Sequence, residues 1–146
     1  MINDVDVQKF IESWKDGLFK IRNIYDKGGD YKSEAILFIE KHYLFGEESV
    51  LFKPTMTRKV AFRNNLDDAL SYFIGGGIEE DKGFALTKWK SIEIDEMHTA
   101  QIEEGAIVMG KLCFTSDEKL DVAFTFVLKS TNDILKIKAH HSSQIK

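Results

Sequence analysis

One proline, one cysteine and no long apolar run are the first features of this 146-residue sequence. The lone Cys113 has no partner for a disulfide and too few thiolates around it for a structural zinc site, so it reads as a small buried residue in a strand. No apolar stretch approaches the roughly 20 residues that a membrane helix needs, and no membrane partner is expected. Positive charge is not in excess: 20 Lys and Arg face 24 Asp and Glu, a net charge of -4, which supplies no basic field for nucleic acid. The opening Met-Ile-Asn-Asp-Val-Asp lacks the basic and apolar regions of a secretory leader. A cytoplasmic location is therefore expected, or a periplasmic one if a leader has been removed.

What is present is the material of a packed core. Hydrophobic residues make up 43% and aromatic residues 12%, and a chain of this length can bury about 70% of its unfolded surface. Without repeats or breaks in composition, residues 1–146 are expected to form a single domain. From Val5 to Lys27, Val7, Phe10, Ile11, Trp14, Leu18, Ile21 and Tyr25 recur at helical spacing, and Gly28-Gly29 stops the run. Asp30 is placed to cap a second helix through about Tyr43, with Ala35, Phe38, Ile39 and His42 or Tyr43 on its buried face. A short strand over Ser49–Lys53 closes at Pro54, and Arg58–Arg63 suggests another. Leu66, Ala69, Leu70 and Phe73 mark a third helix from about Asn65 to Ile74, ended by Gly75-Gly76-Gly77.

Beyond Gly83 the pattern is that of strands, at about Phe84–Glu96, Ala106–Ser116, Leu120–Ser130 and Leu135–Ser143. Their connections suit only hairpins, so helices followed by an antiparallel meander make an α+β fold, with three N-terminal helices on the concave face of a curved sheet. Three helices cover only one sheet face. Ile107, Met109, Ala123 and Val127 leave the other face partly apolar, and a homodimer through it is expected.

The order helix, helix, short strand, helix, curved meander resembles the nuclear transport factor 2-like superfamily. That superfamily includes SnoaL-like cyclases, ketosteroid isomerase and the association domain of calcium/calmodulin-dependent kinase. Val50-Leu-Phe-Lys-Pro-Thr55, Ala69-Leu-Ser-Tyr-Phe-Ile-Gly-Gly76, Glu80-Asp-Lys-Gly-Phe-Ala85 and His140-His-Ser-Ser143 are similar to an uncharacterised bacterial group within it. The resemblance implies a cone-shaped scaffold wrapped around a pocket and spans nearly the whole chain. It does not choose among the many functions that such a scaffold carries.

Candidate site residues follow from spacing and from the resemblance. On the last strand, strict alternation puts Leu135, Ile137, Ala139, His141 and Ser143 on one face and Lys136, Lys138, His140 and Ser142 on the other. His141 thus continues the apolar row toward the pocket as a candidate base or acid, while the two histidines point apart and are not expected to hold a metal. Asp81, after the glycine run, is the second candidate proton carrier, and Tyr72 a donor to developing negative charge. Their inward placement is implied by the resemblance alone. Trp14 and Trp89 are candidate pocket walls, and Lys53 and Arg63 a candidate clamp for a carboxylate, with an internal ion pair from Arg63 to Glu80 or Asp81 as the alternative. The leading expectation is a cofactor-free protein that binds a small, mainly apolar organic ligand and isomerises, cyclises or hydrates it. The alternative is a non-catalytic association module acting through its open sheet face.

Overall fold

Four hairpin-linked strands and one short edge strand form a single sheet, crossed on one face by three helices, in a computed structural model that describes residues 2–146. Helix α1 (Asp4–Asp26) starts where Asn3 and Asp6 exchange side-chain-to-backbone hydrogen bonds, a reciprocal cap that satisfies two free amides of the first turn. Helix α2 (Tyr31–His42) is capped by Asp30, as its sequence predicts. The two helices pack closely at Gly17, where an added Cβ would stand 2.4 Å from the Phe38 ring. Strand β1 (Leu51–Lys53) is followed by helix α3 (Leu66–Ile74), capped by Asn65, and by a single 3-10 turn at Phe84–Leu86.

Strands β2 (Ser91–Ile102), β3 (Gly105–Thr115), β4 (Lys119–Thr131) and β5 (Ile134–Gln144) run antiparallel in sequence order. The sheet order is β1-β5-β4-β3-β2, with β1 pairing parallel to β5, so the α+β architecture expected from the sequence is the one observed. Two local expectations are corrected. Residues 58–63 form no strand, because Arg58, Lys59 and Val60 give their amides to the Glu80 carboxylate instead of to a neighbouring strand. Residues 84–90 are likewise not strand: the 3-10 turn and the Trp89 indole hydrogen bond to the Phe84 carbonyl occupy that stretch.

Two bulges shape the sheet. One falls at Asp95 in β2, between Ile94 and Glu96. The other falls in β5, where Val127 pairs with Ala139 but Leu128 pairs with Ile137, leaving Lys138 as the extra residue. The second bulge reverses the facing of everything after it. Ile137 is buried before the bulge and His140 and Ser142 are buried after it, whereas strict alternation would have kept Ala139, His141 and Ser143 inside. The core lies between this concave face and the helices, with Val108, Leu112, Phe114, Phe124 and Phe126 from the sheet packed on Trp14, Leu18, Phe38 and Phe73.

Candidate active site

A small cavity sits in the cone between α1, α3 and the concave face of β3, β4 and β5, with about 10 Å³ of free space. Trp14, Phe52, Phe84 and Phe114 supply aromatic walls, and Thr55, Tyr72, His140 and Ser142 bring the polar groups. The room is that of about one water, so a ligand must be very small or must push a wall aside. Among the described residues no carboxylate lines it.

His140 is the centre of a hydrogen-bonded chain. The Trp14 Nε1–H donates to the Tyr43 hydroxyl at 3.2 Å, Tyr43 lies 2.9 Å from His140 Nδ1, and His140 Nε2 lies 2.6 Å from the Ser142 Oγ. The protons in this chain have only one consistent placement. Tyr43 is fully buried and its oxygen already accepts from Trp14, so its own proton goes to His140 Nδ1. A neutral imidazole that accepts at Nδ1 carries its hydrogen on Nε2 and donates it to Ser142. Ser142 accepts that bond, which leaves its hydroxyl hydrogen free for the cavity.

Burial keeps the imidazole neutral. It pushes His140 down to about 3, with help from the nearby His141 and Lys53 charges, and it pushes the Tyr43 and Tyr72 phenols above their ordinary range. Phe52 stacks on His140 at 4.8 Å and Phe126 meets it edge-on at 4.5 Å, which fixes the ring plane. At neutral pH His140 is therefore a positioning group for Ser142, not a base. Tyr72 accepts from the Met56 amide at 3.3 Å, and the Thr55 side chain, which also lines the cavity, is its second hydrogen-bond partner.

The structure brings together some of the residues singled out in the sequence and separates others. Trp14 and Tyr72 line the cavity. His141 does not: it is exposed on the outer sheet face, because the Lys138 bulge shifts its phase. Asp81 and Arg63 form a buried pair, with guanidinium-to-carboxylate contacts of 2.6 and 2.8 Å, and the Ser71 hydroxyl adds a third bond to Asp81. The internal ion pair thus replaces the ligand clamp for Arg63, and the same contacts occupy the carboxylate of Asp81. Lys53 donates to the Ser142 carbonyl at 3.0 Å and faces the outer side beside His141. Trp89 packs behind Phe84 and Phe114 without reaching the cavity.

Tyr43, Thr55, His140 and Ser142 are the polar residues that sequence reasoning missed. His140 and Ser142 do share a strand face in the pattern, but Lys136 and Lys138 stand on the same row and mark it as solvent-facing. Elsewhere, Ser13 donates to His42 Nε2 at 2.9 Å while His42 Nδ1 donates to the Phe38 carbonyl at 2.8 Å, tying α1 to α2 outside the cavity. On the outer sheet face Asp95, Cys113 and Asp121 bring ligand atoms within 4.8 Å of one another, and desolvation raises the Cys113 thiol pKa.

Known proteins share this fold to different depths. The association domain of a calcium/calmodulin-dependent protein kinase II from Xanthomonas campestris superposes with a TM-score of 0.69 at 15% identity, covering 99% of this chain and 89% of that one. That likeness, like the one to other nuclear transport factor 2-like structures, is one of fold. A crystal structure of the iota-carbonic anhydrase from a cyanobacterium, complexed with bicarbonate, superposes with a TM-score of 0.92 at 31% identity, covering 99% of this chain and 93% of that one. The metal-independent carbonic anhydrase of Nostoc sp. (strain PCC 7120) is 32% identical over 151 residues, spanning 97% of this chain and 73% of that protein. Residues 5–144 match the family described as metal-independent carbonic anhydrase, and the chain belongs to that family.

Proposed function

We propose that the protein interconverts carbon dioxide and bicarbonate in the cavity around Ser142, without a metal ion. The family match over residues 5–144 carries this reading, and the chemistry of the site agrees with it. Both nitrogens of His140 are engaged, so the imidazole offers no lone pair to a metal. The substrate is smaller than the apolar organic ligand suggested by the aromatic content, yet bicarbonate still exceeds the room of one water, so its binding requires a wall of the cavity to move.

When a water oxygen joins the carbon of carbon dioxide, negative charge grows on the two original oxygens. The Ser142 hydroxyl, oriented through His140 and Tyr43, and the Tyr72 hydroxyl, kept protonated by burial, are donors for that charge. Trp14, Phe52 and Phe114 keep other water away and strengthen those hydrogen bonds. The proton released by the attacking water leaves to solvent, because His140, held near 3, does not take it at neutral pH.

The test is oxygen-18 exchange from labelled carbon dioxide, measured on protein dialysed against a strong chelator. Depletion of label well above the buffer rate is expected, and Ser142→Ala should lower it by at least about tenfold. Chelated protein no faster than buffer would overturn the reading.

A further inference from the structure

A depression of about 670 Å³ opens between the Met56–Val60 turn and the Glu79–Gly83 loop, and it adjoins the cavity: Tyr72 and Phe84 line both. Their rings stack 5.4 Å apart at 18°, so a wall two rings wide separates a roomy vestibule from the small space around Ser142. The rings are not equally held. Tyr72 is 5% exposed and its hydroxyl is tied to the Met56 amide. Phe84 is half-buried and anchored through its backbone: the Trp89 indole donates to its carbonyl at 2.9 Å, and the Arg22 guanidinium donates to the carbonyl of Leu86. The Phe84 ring, the more exposed of the two, also meets Trp89 at 5.2 Å and Phe114 at 5.3 Å, so opening this wall means swinging the ring about its side-chain bonds out of those contacts while the turn that carries it stays in place.

Charge at the mouth opposes that of the whole chain. Glu80 is engaged by three backbone amides at 2.7 to 3.0 Å, and Asp81 by Arg63 and Ser71. Arg58, Lys59 and Lys82 are exposed, and among the described residues none of them is ion-paired. Two carboxylates stand against these three cations, Glu79 and Glu80, because hydrogen bonds from neutral amides do not cancel the Glu80 charge; with Asp81 paired to Arg63, one positive charge is left in surplus. A protein of net charge -4 thus presents surplus positive charge at the opening next to its cavity.

We propose that this vestibule is the port through which bicarbonate enters and leaves, with Lys59 and Lys82 holding the anion at the mouth and the Phe84 ring as the movable part of the inner wall. The port rests on the carbon dioxide–bicarbonate reading above. Its test is the double variant Lys59→Glu/Lys82→Glu of the full chain, assayed for bicarbonate dehydration across ionic strength. At low salt its KM for bicarbonate should rise about tenfold, with kcat and Tm unchanged, and the gap should close in high salt as screening removes the field. In carbon-13 spectra of the wild type, added bicarbonate should shift or broaden the Phe84 ring signals.

An active wild type whose KM is unchanged by charge reversal would overturn the port and leave the functional reading standing. A wild type that does not dehydrate bicarbonate would instead overturn the functional reading. The port is then decided by bicarbonate titration of the backbone amides of Lys82, Gly83 and Phe84: shifts at all three support it, and their absence overturns it.

Discussion

The Tyr43 hydroxyl lies 2.9 Å from His140 Nδ1, and this one contact sets the direction of every hydrogen bond from Trp14 to Ser142. Tyr43→Phe keeps the ring and removes the hydroxyl, leaving the buried Trp14 N–H and His140 Nδ1 without partners at a cost of about 1–3 kcal/mol. The imidazole is then free to move its hydrogen to Nδ1, and Ser142 donates to His140 instead of to the ligand. Turnover should fall about tenfold or more in protein that remains folded by circular dichroism. Unchanged turnover would remove the relay from the mechanism.

Acid should unfold the protein through two buried histidines. Burial holds His42 at about 4 and His140 at about 3 in the folded chain, against about 6.5 when unfolded. Between those values the unfolded state binds protons that the folded state refuses, so stability is complete above pH 6.5 and declines as pH falls toward 4. Each histidine contributes a slope of up to about 1.4 kcal/mol per pH unit. Urea midpoints measured from pH 7.5 to 4.5 should show this decline, and His42→Gln should flatten it; equal slopes in the two proteins would contradict the assignment.

Asp81 and Arg63 form the internal ion pair that the sequence offered as the alternative to a ligand clamp, and its role is structural. Arg63 is fully buried and its guanidinium also reaches the Val60 and Asp68 carbonyls, so Asp81→Ala leaves a buried cation with only the more distant Glu80, at 3.8 Å, as counter-charge and should cost about 3 kcal/mol. Replacing both, as Arg63→Met with Asp81→Leu, should recover much of that loss. At a temperature where Asp81→Ala is still folded, its kcat should match the wild type; a large drop in kcat would return Asp81 to the catalytic machinery.

What could be read in the sequence was set by local physics. Helix α2 came with its cap, Asp30, and α3 with its start near Asn65, while the short β4–β5 connection left room only for a hairpin, whose Asn132 and Asp133 take up the left-handed conformation that its tight turn requires. Trp14 was legible because six apolar positions, from Val7 to Ile21, fix the buried face of α1; Tyr25, the seventh of the pattern, is exposed. The histidines were not, because facing along a strand is a count of residues and one bulge resets it. Nothing in Ile137-Lys138-Ala139 marks Lys138 as the extra residue. The sequence left Arg63 a choice among a ligand, Glu80 and Asp81, and the contact across 18 positions that decides for Asp81 is one no periodicity encodes.

A second copy of this chain is the occupant proposed for the outer sheet face. Ile107 and Val127 stand opposite each other in register, and Met109 beside them is 57% exposed, an apolar strip on a face that no helix of the chain covers. Sedimentation at micromolar concentration should give about twice 16.7 kDa. Val127→Asp should release single chains. A wild type that sediments as a single chain throughout that range would refute the interface.

Neighbouring histidines on opposite sheet faces make the sharpest contrast. His141 is exposed and stands clear of the cavity, so His141→Ala should change stability by less than about 0.5 kcal/mol and leave turnover unchanged. His140 is buried among Phe52, Phe126, Tyr43 and Trp14, so His140→Ala opens a hole in the aromatic core and unpairs both Tyr43 and Ser142. A loss of about 3–5 kcal/mol is expected, on the scale of large-to-small core truncations, together with loss of turnover. Because that variant can fail to fold, Ser142→Ala separates the two effects: it opens no hole in the aromatic core and leaves only the His140 Nε2–H without an acceptor, at about 1–3 kcal/mol, so the protein should stay folded while turnover falls at least about tenfold. Turnover that depends on His141 and survives the loss of Ser142 would move the chemistry to the outer face and overturn the assignment of the cavity.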